Sequence, residues 1–174
     1  MPSRRPVQKW HQSMAKNKKQ VTNEPTIENR KARHDYVIHD TLECGMKLRG
    51  SEIKSIRAGQ ASLAEGYVRA VAEPPSLMLH SVHIAEYAPA GSHRQHPPTR
   101  TRTLLAHKRE IRKLADKAAQ KGVTLVPLKI YFLRGKAKLL IGLGTGKGQS
   151  DKRHDIAKRD AQRDIDRAMS KARR

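Results

Sequence analysis

Between Met46 and Ile56 the apolar residues change step. Met46 and Leu48 are two apart, as on one face of a strand, but Ile53 follows at an odd interval, and Ile56 at another. Side chains of an extended chain alternate between faces. An odd interval therefore moves the buried side to the other face. Gly50 lies in the gap, where a bulge or sharp bend is best tolerated. The expectation is one long strand that turns a corner near Gly50 and ends at Arg57-Ala58-Gly59. A strand that turns a corner is what a small closed barrel needs.

The remaining segments fit that architecture. Tyr36 and Ile38 share a face of a short preceding strand, and Gly66 to Val71 reads as a third. Leu77 to Ile84 reads as a fourth, after the turn Glu73-Pro74-Pro75-Ser76. Residues 88–99, rich in Pro, Gly, His and Ser, form a loop. From Lys108 to Gln120 the period becomes helical, with Ile111, Leu114, Ala115 and Ala118 on one stripe and Gly122 as the stop. Thr124–Leu133 and Lys136–Leu143 make a hairpin about Arg134-Gly135. The fold class expected is mainly β: a small closed barrel of the oligonucleotide-binding type, OB-like, with packed helices and a C-terminal tail that is helical when bound.

Three regions are expected along the chain. Residues 1–28 mix Pro, Lys, Gln, Asn and Ser without a period and read as a disordered basic extension. Residues 29–143 are the barrel, and residues 144–174 a flexible basic tail that opens with the hinge Gly144–Ser150. In the tail, Ala157, Ala161, Ile165, Ala168 and Ala172 make a narrow helical stripe. Its apolar area is small, so at about 25 cal/mol per Å² it anchors the helix weakly. Flanking charge pairs both help and oppose it: Asp155 with Arg159 and Asp164 with Arg167 attract, while Asp160 with Asp164 and Arg159 with Arg163 repel.

Charge points to the partner. The chain carries a formal net charge of +21, divided as +7 over residues 1–33, +9 over 34–143 and +5 over 144–174. A chain positive throughout repels itself unless a polyanion neutralises it, and nucleic acid is the usual polyanion, with an anionic membrane surface as the alternative. Cys44 is the single cysteine, which excludes a disulfide framework and a cysteine metal site and suits a reducing cytoplasm. No apolar run is long enough to span a bilayer.

The basic block PTRTRTLLAHKREIRKL places Arg100 and Arg102 two apart, ahead of Lys108 and Arg109. In an extended segment the two arginines point the same way and can grip adjacent phosphates. Other motifs lead nowhere. The run Gly142–Gly148 misses the spacing of a phosphate-binding loop. His80 with His83 and His93 with His96 are poorly placed to chelate, and read as surface or RNA-facing histidines. No catalytic set, metal site or cofactor motif is legible.

The segment from Asn29 to Leu63, NRKARHDYVIHDTLECGMKLRGSEIKSIRAGQASL, closely resembles the signature of the small protein B family, the bacterial partners of transfer-messenger RNA in ribosome rescue. The block Pro98–Leu114 and the block GKGQSDKRHDIAKRDAQRDI (Gly146–Ile165) support the same resemblance in the same order. It implies an OB-like barrel and a non-enzymatic adaptor that binds the tRNA-like domain. Glu43, Leu105 and His107 are implied in RNA contact, together with the basic lead-in Arg30, Lys31, Arg33 and His34. Gly146, Lys147, Asp151, Lys152 and Arg153 match the tail motifs needed for tagging, with Lys158 and Arg159 following as ribosome-facing cations. From the residues alone, the favoured reading of Glu43 is a salt bridge to a neighbouring arginine. Ser150 and the Glu73-Pro74-Pro75 and Pro97-Pro98 stretches depart from the family pattern.

The partners implied are transfer-messenger RNA, the ribosome at its decoding centre and messenger channel, and elongation factor Tu indirectly through the shared RNA. Two other classes fit the charge, a basic ribosomal structural protein and an RNA-modifying enzyme. The second needs an acid–base or metal site that the sequence does not display.

Overall fold

A computed structural model describes residues 24–91, 93 and 95–172. The expectation for the N-terminal extension therefore lies mostly outside the described residues. Its last two residues, Ile27–Glu28, form strand β1 and pair with Ile130 and Lys129. The ordered body thus begins before residue 29.

The body is mainly β. The hairpin read from the sequence is its centre: β8 (Val123–Leu133) and β9 (Lys136–Gly146) pair antiparallel around Arg134 and Gly135, both with positive φ. Strands β2 (Tyr36–Met46), β4 (Tyr67–Val71), β5 (Ser76–His80) and β7 (Arg102–Leu105) extend it into a seven-stranded antiparallel sheet of order β1-β8-β9-β2-β7-β5-β4. Strands β3 (Ala61–Ser62) and β6 (His83–Ile84) form a separate pair. The sheet curls so that β4 comes against β8, but no ladder joins them among the described residues. It is a curled sheet rather than a sealed barrel.

The inner face is apolar. Leu77, Leu79, Ile130, Leu139 and Ile141 are fully buried there, covered by α3 (Lys108–Ala118) through Ile111 and Leu114. On the outer face Ala32, Val126 and Leu128 form a smaller cluster with Tyr36, Ile38 and Leu140. It seats α1 (Arg30–Asp35), whose N-cap Asn29 is buried and donates to Leu63 O and Pro127 O.

Three expectations are corrected. First, β2 ends at Met46, and residues Gly50–Arg57 form helix α2 instead of a second half of the strand. Ile53 and Ile56 are three apart, which is a helical interval. Glu52 caps the helix, its Oε2 accepting from Arg49 N at 2.6 Å, and Gly59 with φ 74° follows its end. The irregularity in β2 lies between Ile38 and Asp40. Second, β5 stops at His80, because Ser81 adopts φ 55° and sends the chain into β6. Third, Gly144 and Gly146 of the expected hinge belong to β9. A Cβ at Gly144 would lie 2.6 Å from Val37 O, so glycine there lets β9 approach the irregular part of β2. The tail begins with Lys147, and helix α4 spans Gln149–Ala172.

Candidate nucleic-acid interface

Arg100 and Arg102 do point the same way, but inward. Glu52 is fully buried, and its carboxylate accepts from Arg100 Nη2 at 2.5 Å and from Arg102 Nε at 2.8 Å. Arg102, itself 0 % exposed, also donates to the carbonyls of Val82, Pro98 and Arg100. Burial alone would raise the pKa of Glu52; Arg100, the Arg49 N–H and Arg102 outweigh it and hold the carboxyl at about 2. This ion cluster ties β7 and the loop before it to α2. Arg102 thus has no guanidinium left to offer a phosphate, and Arg100 is largely committed. His96 is buried beside the cluster, Nδ1 on Ser51 Oγ at 2.9 Å and Nε2 on Ile84 O at 3.2 Å, which removes it from the expected surface histidines.

The residues that do face outward sit across four strands. Alternation puts Glu43 and Gly45 of β2, Leu105 of β7, Lys138 of β9 and Lys129 and Tyr131 of β8 on the outer face, and Gly45 pairs with Leu105 and Lys138 on its two sides. Leu105 is 57 % exposed. A methyl at position 45 would sit 3.4 Å from its Cβ, so glycine leaves room for the leucine to lie over β2.

Glu43 accepts a short hydrogen bond from the Tyr131 hydroxyl and lies 3.2 Å from Lys138 Nζ. Its ion-pair partner is thus a lysine, not the arginine expected from the sequence. The Tyr131 hydroxyl, and after it Lys138, holds the Glu43 carboxyl below its usual range against desolvation. Burial and the Glu43 carboxylate in turn push Tyr131 upward, so it stays a donor. Lys129 Nζ lies 5.0 Å from the Tyr131 ring centroid. An ionised carboxylate with spare acceptor capacity, an exposed leucine, an aromatic ring and two lysines form a compact surface. Such a surface can accept from a base amino group or a 2′-hydroxyl, cover a base or ribose, and neutralise phosphate.

Other expected residues border it. His107 is exposed as the N-cap of α3, and Lys108 and Arg109 are exposed on its first turn. Arg30, Lys31 and Arg33 are exposed on α1, where Lys31 pairs with Glu65 at 3.0 Å, and His34 contacts Asp35 at 2.9 Å. A cavity of about 520 Å³ lies between α1, β2 and the start of the tail, lined by Arg33, Val37, Thr41, Leu140, Lys147 and Asp151 among others. Lys147 fixes the tail base: its N–H donates to Asp35 O at 2.8 Å and its Nζ to Arg33 O at 3.0 Å. Asp151 accepts from Gly148 N at 3.2 Å and so caps α4, and Gly146 and Arg153 are exposed. The side chains of Lys152, Lys158 and Arg159 lie outside the described residues.

Comparison with known proteins decides what kind of chain this is. The family model described as SmpB protein matches residues 26–171. The chain belongs to the SmpB family. It is 54% identical over 142 residues to an SsrA-binding protein of Roseiflexus sp. (strain RS-1), covering 82% of this chain and 89% of that one. An SsrA-binding protein of Thermobifida fusca (strain YX) is 49% identical over 163 residues, covering 92% of this chain and all of the relative. Among solved structures, one described as "tmRNA-SmpB: a journey to the center of the bacterial ribosome" matches with TM-score 0.61 and 46% identity, covering 76% of this chain and 94% of that chain.

Within this SmpB-family chain, the structure brings together Glu43 and Leu105, with His107 near the end of the same strand. It separates them from Arg100 and Arg102. Sequence reasoning missed Tyr131, Lys138 and Lys129. Their signal was partly present: Lys129 and Tyr131 of β8 and Lys136 and Lys138 of β9 alternate with the apolar residues that build the core, although Leu133 breaks the pattern. Glu52 carried no such signal, because it was placed on a strand rather than at the start of a helix.

Proposed function

We propose that this chain is a non-enzymatic RNA-binding adaptor of trans-translation. Its outer sheet face binds the tRNA-like domain of transfer-messenger RNA, and its tail enters the vacant messenger channel of a stalled ribosome near the decoding centre. The observation that carries the reading is the Glu43–Tyr131–Lys138–Leu105 surface: specific acceptor, aromatic, cations and exposed apolar contact side by side in a chain of this family. A ribosomal structural protein has no need of an acidic acceptor at the centre of a basic face. Elongation factor Tu is met only through the shared RNA, and the protein works in the cytoplasm. An empty channel lined by RNA phosphate attracts a tail of net charge +5, whereas an intact messenger excludes it.

The test separates specific from bulk binding. Glu43→Ala removes a negative charge, so binding to a nonspecific polyanion should strengthen slightly or stay level. Binding to the tRNA-like domain should weaken by about 1–3 kcal/mol, because the bonds to Glu43 are lost in a desolvated interface. If specific binding improves instead, Glu43 serves only its pair with Lys138.

A further inference from the structure

The outer face does not end at Leu105. Thr103 and Thr101 precede it at two-residue steps, Met78 of β5 pairs with Thr103, and Arg69 and Tyr67 of β4 pair with Met78 and His80. Lys47, exposed, continues the outward side of β2, and its N–H donates to Thr103 O at 3.0 Å. Val68, Leu77 and Leu79, the alternate residues, are buried in the core. The outward set therefore contains two cations, hydroxyls and rings, and no carboxylate.

At the rim of this face Tyr67 stacks on His80, with ring centroids 5.0 Å apart and planes 11° from parallel. The His80 ring is oriented by Thr101 Oγ1, 3.2 Å from its Nδ1. Tyr67 remains 49 % exposed, in a chain with only four tyrosines, one tryptophan and one phenylalanine. The pair joins the edge strand β4 to β5, where it contributes to the β4–β5 pairing and still leaves one face of the Tyr67 ring open. Arg69, two residues along the same strand, is exposed and has no ion-pair partner among the described residues. A flat ring with an adjacent unpaired cation fits a base and its phosphate.

We propose that Tyr67, backed by His80, is a stacking platform for one unpaired base of the same RNA that the Glu43–Leu105 surface binds, with Arg69 on the neighbouring phosphate. The inference rests on the RNA-binding reading above. The two stations are separated by two strand spacings across and four residues along the sheet, about 16 Å, and the basic, acid-free face between them is continuous. One folded RNA can lie on both.

Equilibrium binding of the full chain to the tRNA-like domain of transfer-messenger RNA, measured over a range of salt concentrations, tests it. Tyr67→Leu keeps apolar bulk but removes the ring, and should weaken binding roughly 5- to 150-fold, the range of one base–aromatic stack. Tyr67→Phe should bind within about 2-fold of the parent, because the ring is retained. The salt slope should be unchanged in Tyr67→Leu but shallower by about one unit in Arg69→Ala, since only the latter loses a phosphate contact. Leu105→Ala serves as the separate control on the first station. If Leu105→Ala weakens binding while Tyr67→Leu binds like the parent, the platform is wrong and the RNA reading stands. Equal losses in Tyr67→Leu and Tyr67→Phe also overturn it, because they place the effect on the hydroxyl. A parent chain that shows no preference for this RNA overturns the reading itself.

Discussion

Glu52 has no solvent exposure, yet Arg100, Arg102 and the Arg49 N–H converge on its carboxylate. Two buried or half-buried guanidiniums around one carboxylate are costly to desolvate, and removing the anion leaves them uncompensated. Glu52→Gln should therefore destabilise the protein by about 3 kcal/mol at neutral pH. Its folded pKa, depressed from 4.5 to about 2, fixes the sign of the pH dependence. Stabilisation from this group is complete above the unfolded value and disappears as pH falls through that window toward the folded one. Denaturant midpoints measured from neutral pH downward should thus fall more steeply for the parent than for Glu52→Gln, and the two curves should converge near pH 2. A variant as stable as the parent at pH 7 would show that the cluster contributes nothing. The same geometry converts Arg102 from an RNA contact into a structural residue: its substitution should lower stability, with RNA affinity following only through the fold. Cys44 is a further buried residue without chemistry to do, its thiol pushed up to about 12 chiefly by desolvation.

At the scale of elements, the hairpin β8–β9 was legible from the turn Arg134-Gly135 between two apolar-rich runs, and the helix α3 from the single helical period of Ile111, Leu114, Ala115 and Ala118. The stretch from Met46 to Arg57 was not, because a strand end and a short helix meet there, and two periods spliced together imitate one strand with a face switch. Glu52 decided the matter through a cap, an interaction that periodicity does not register. The outer-face site was half legible for a related reason. Glu43 and Leu105 stood out within family motifs, whereas Tyr131 and Lys138 become partners only through the register of β8 against β9 and of β9 against β2. Gly144 and Gly146 looked like hinge residues because composition cannot distinguish a glycine that frees the chain from one that admits a neighbour. The two roles are separable by experiment. Gly144→Ala places a Cβ 2.6 Å from Val37 O and should cost about 1–3 kcal/mol as β2 and β9 are forced apart. Gly146→Ala has nothing within 4 Å and should change stability little. Thermal unfolding of the two variants checks this, and equal small effects would restore the hinge.

At the scale of the whole molecule, the chain divides where the sheet stops supplying contacts. The body holds the ion cluster, the core and both outer-face stations, while α4 leaves it after the Lys147 bonds to α1, with Ile165 and Met169 each more than half exposed. A helix whose apolar stripe is mostly alanine, with Ile165 and Met169 uncovered, depends on a partner for stability. Amides of α4 should accordingly exchange far faster than those of β9 in the free protein. Ending the chain after Gly148, rather than at Leu143, preserves β9 and the Lys147 contacts. The shortened protein should keep cooperative unfolding and bind the tRNA-like domain within about 1 kcal/mol of the full chain, because the core and both the Glu43–Leu105 and Tyr67 stations remain. Peptide tagging on stalled ribosomes should nonetheless vanish, since no segment remains to occupy the empty channel. Replacing Asp151, Lys152 and Arg153 together by alanine should reproduce that split while leaving the length of the tail intact. Asp151 makes part of the effect local, for it caps α4 through Gly148 N, so Asp151→Asn, which keeps an acceptor there, should restore more tagging than Asp151→Ala. A truncated protein that tags at the full rate would place the sensing of stalled ribosomes in the body. The +5 tail would then be reduced to a nonspecific electrostatic contribution that high salt abolishes along with the rest.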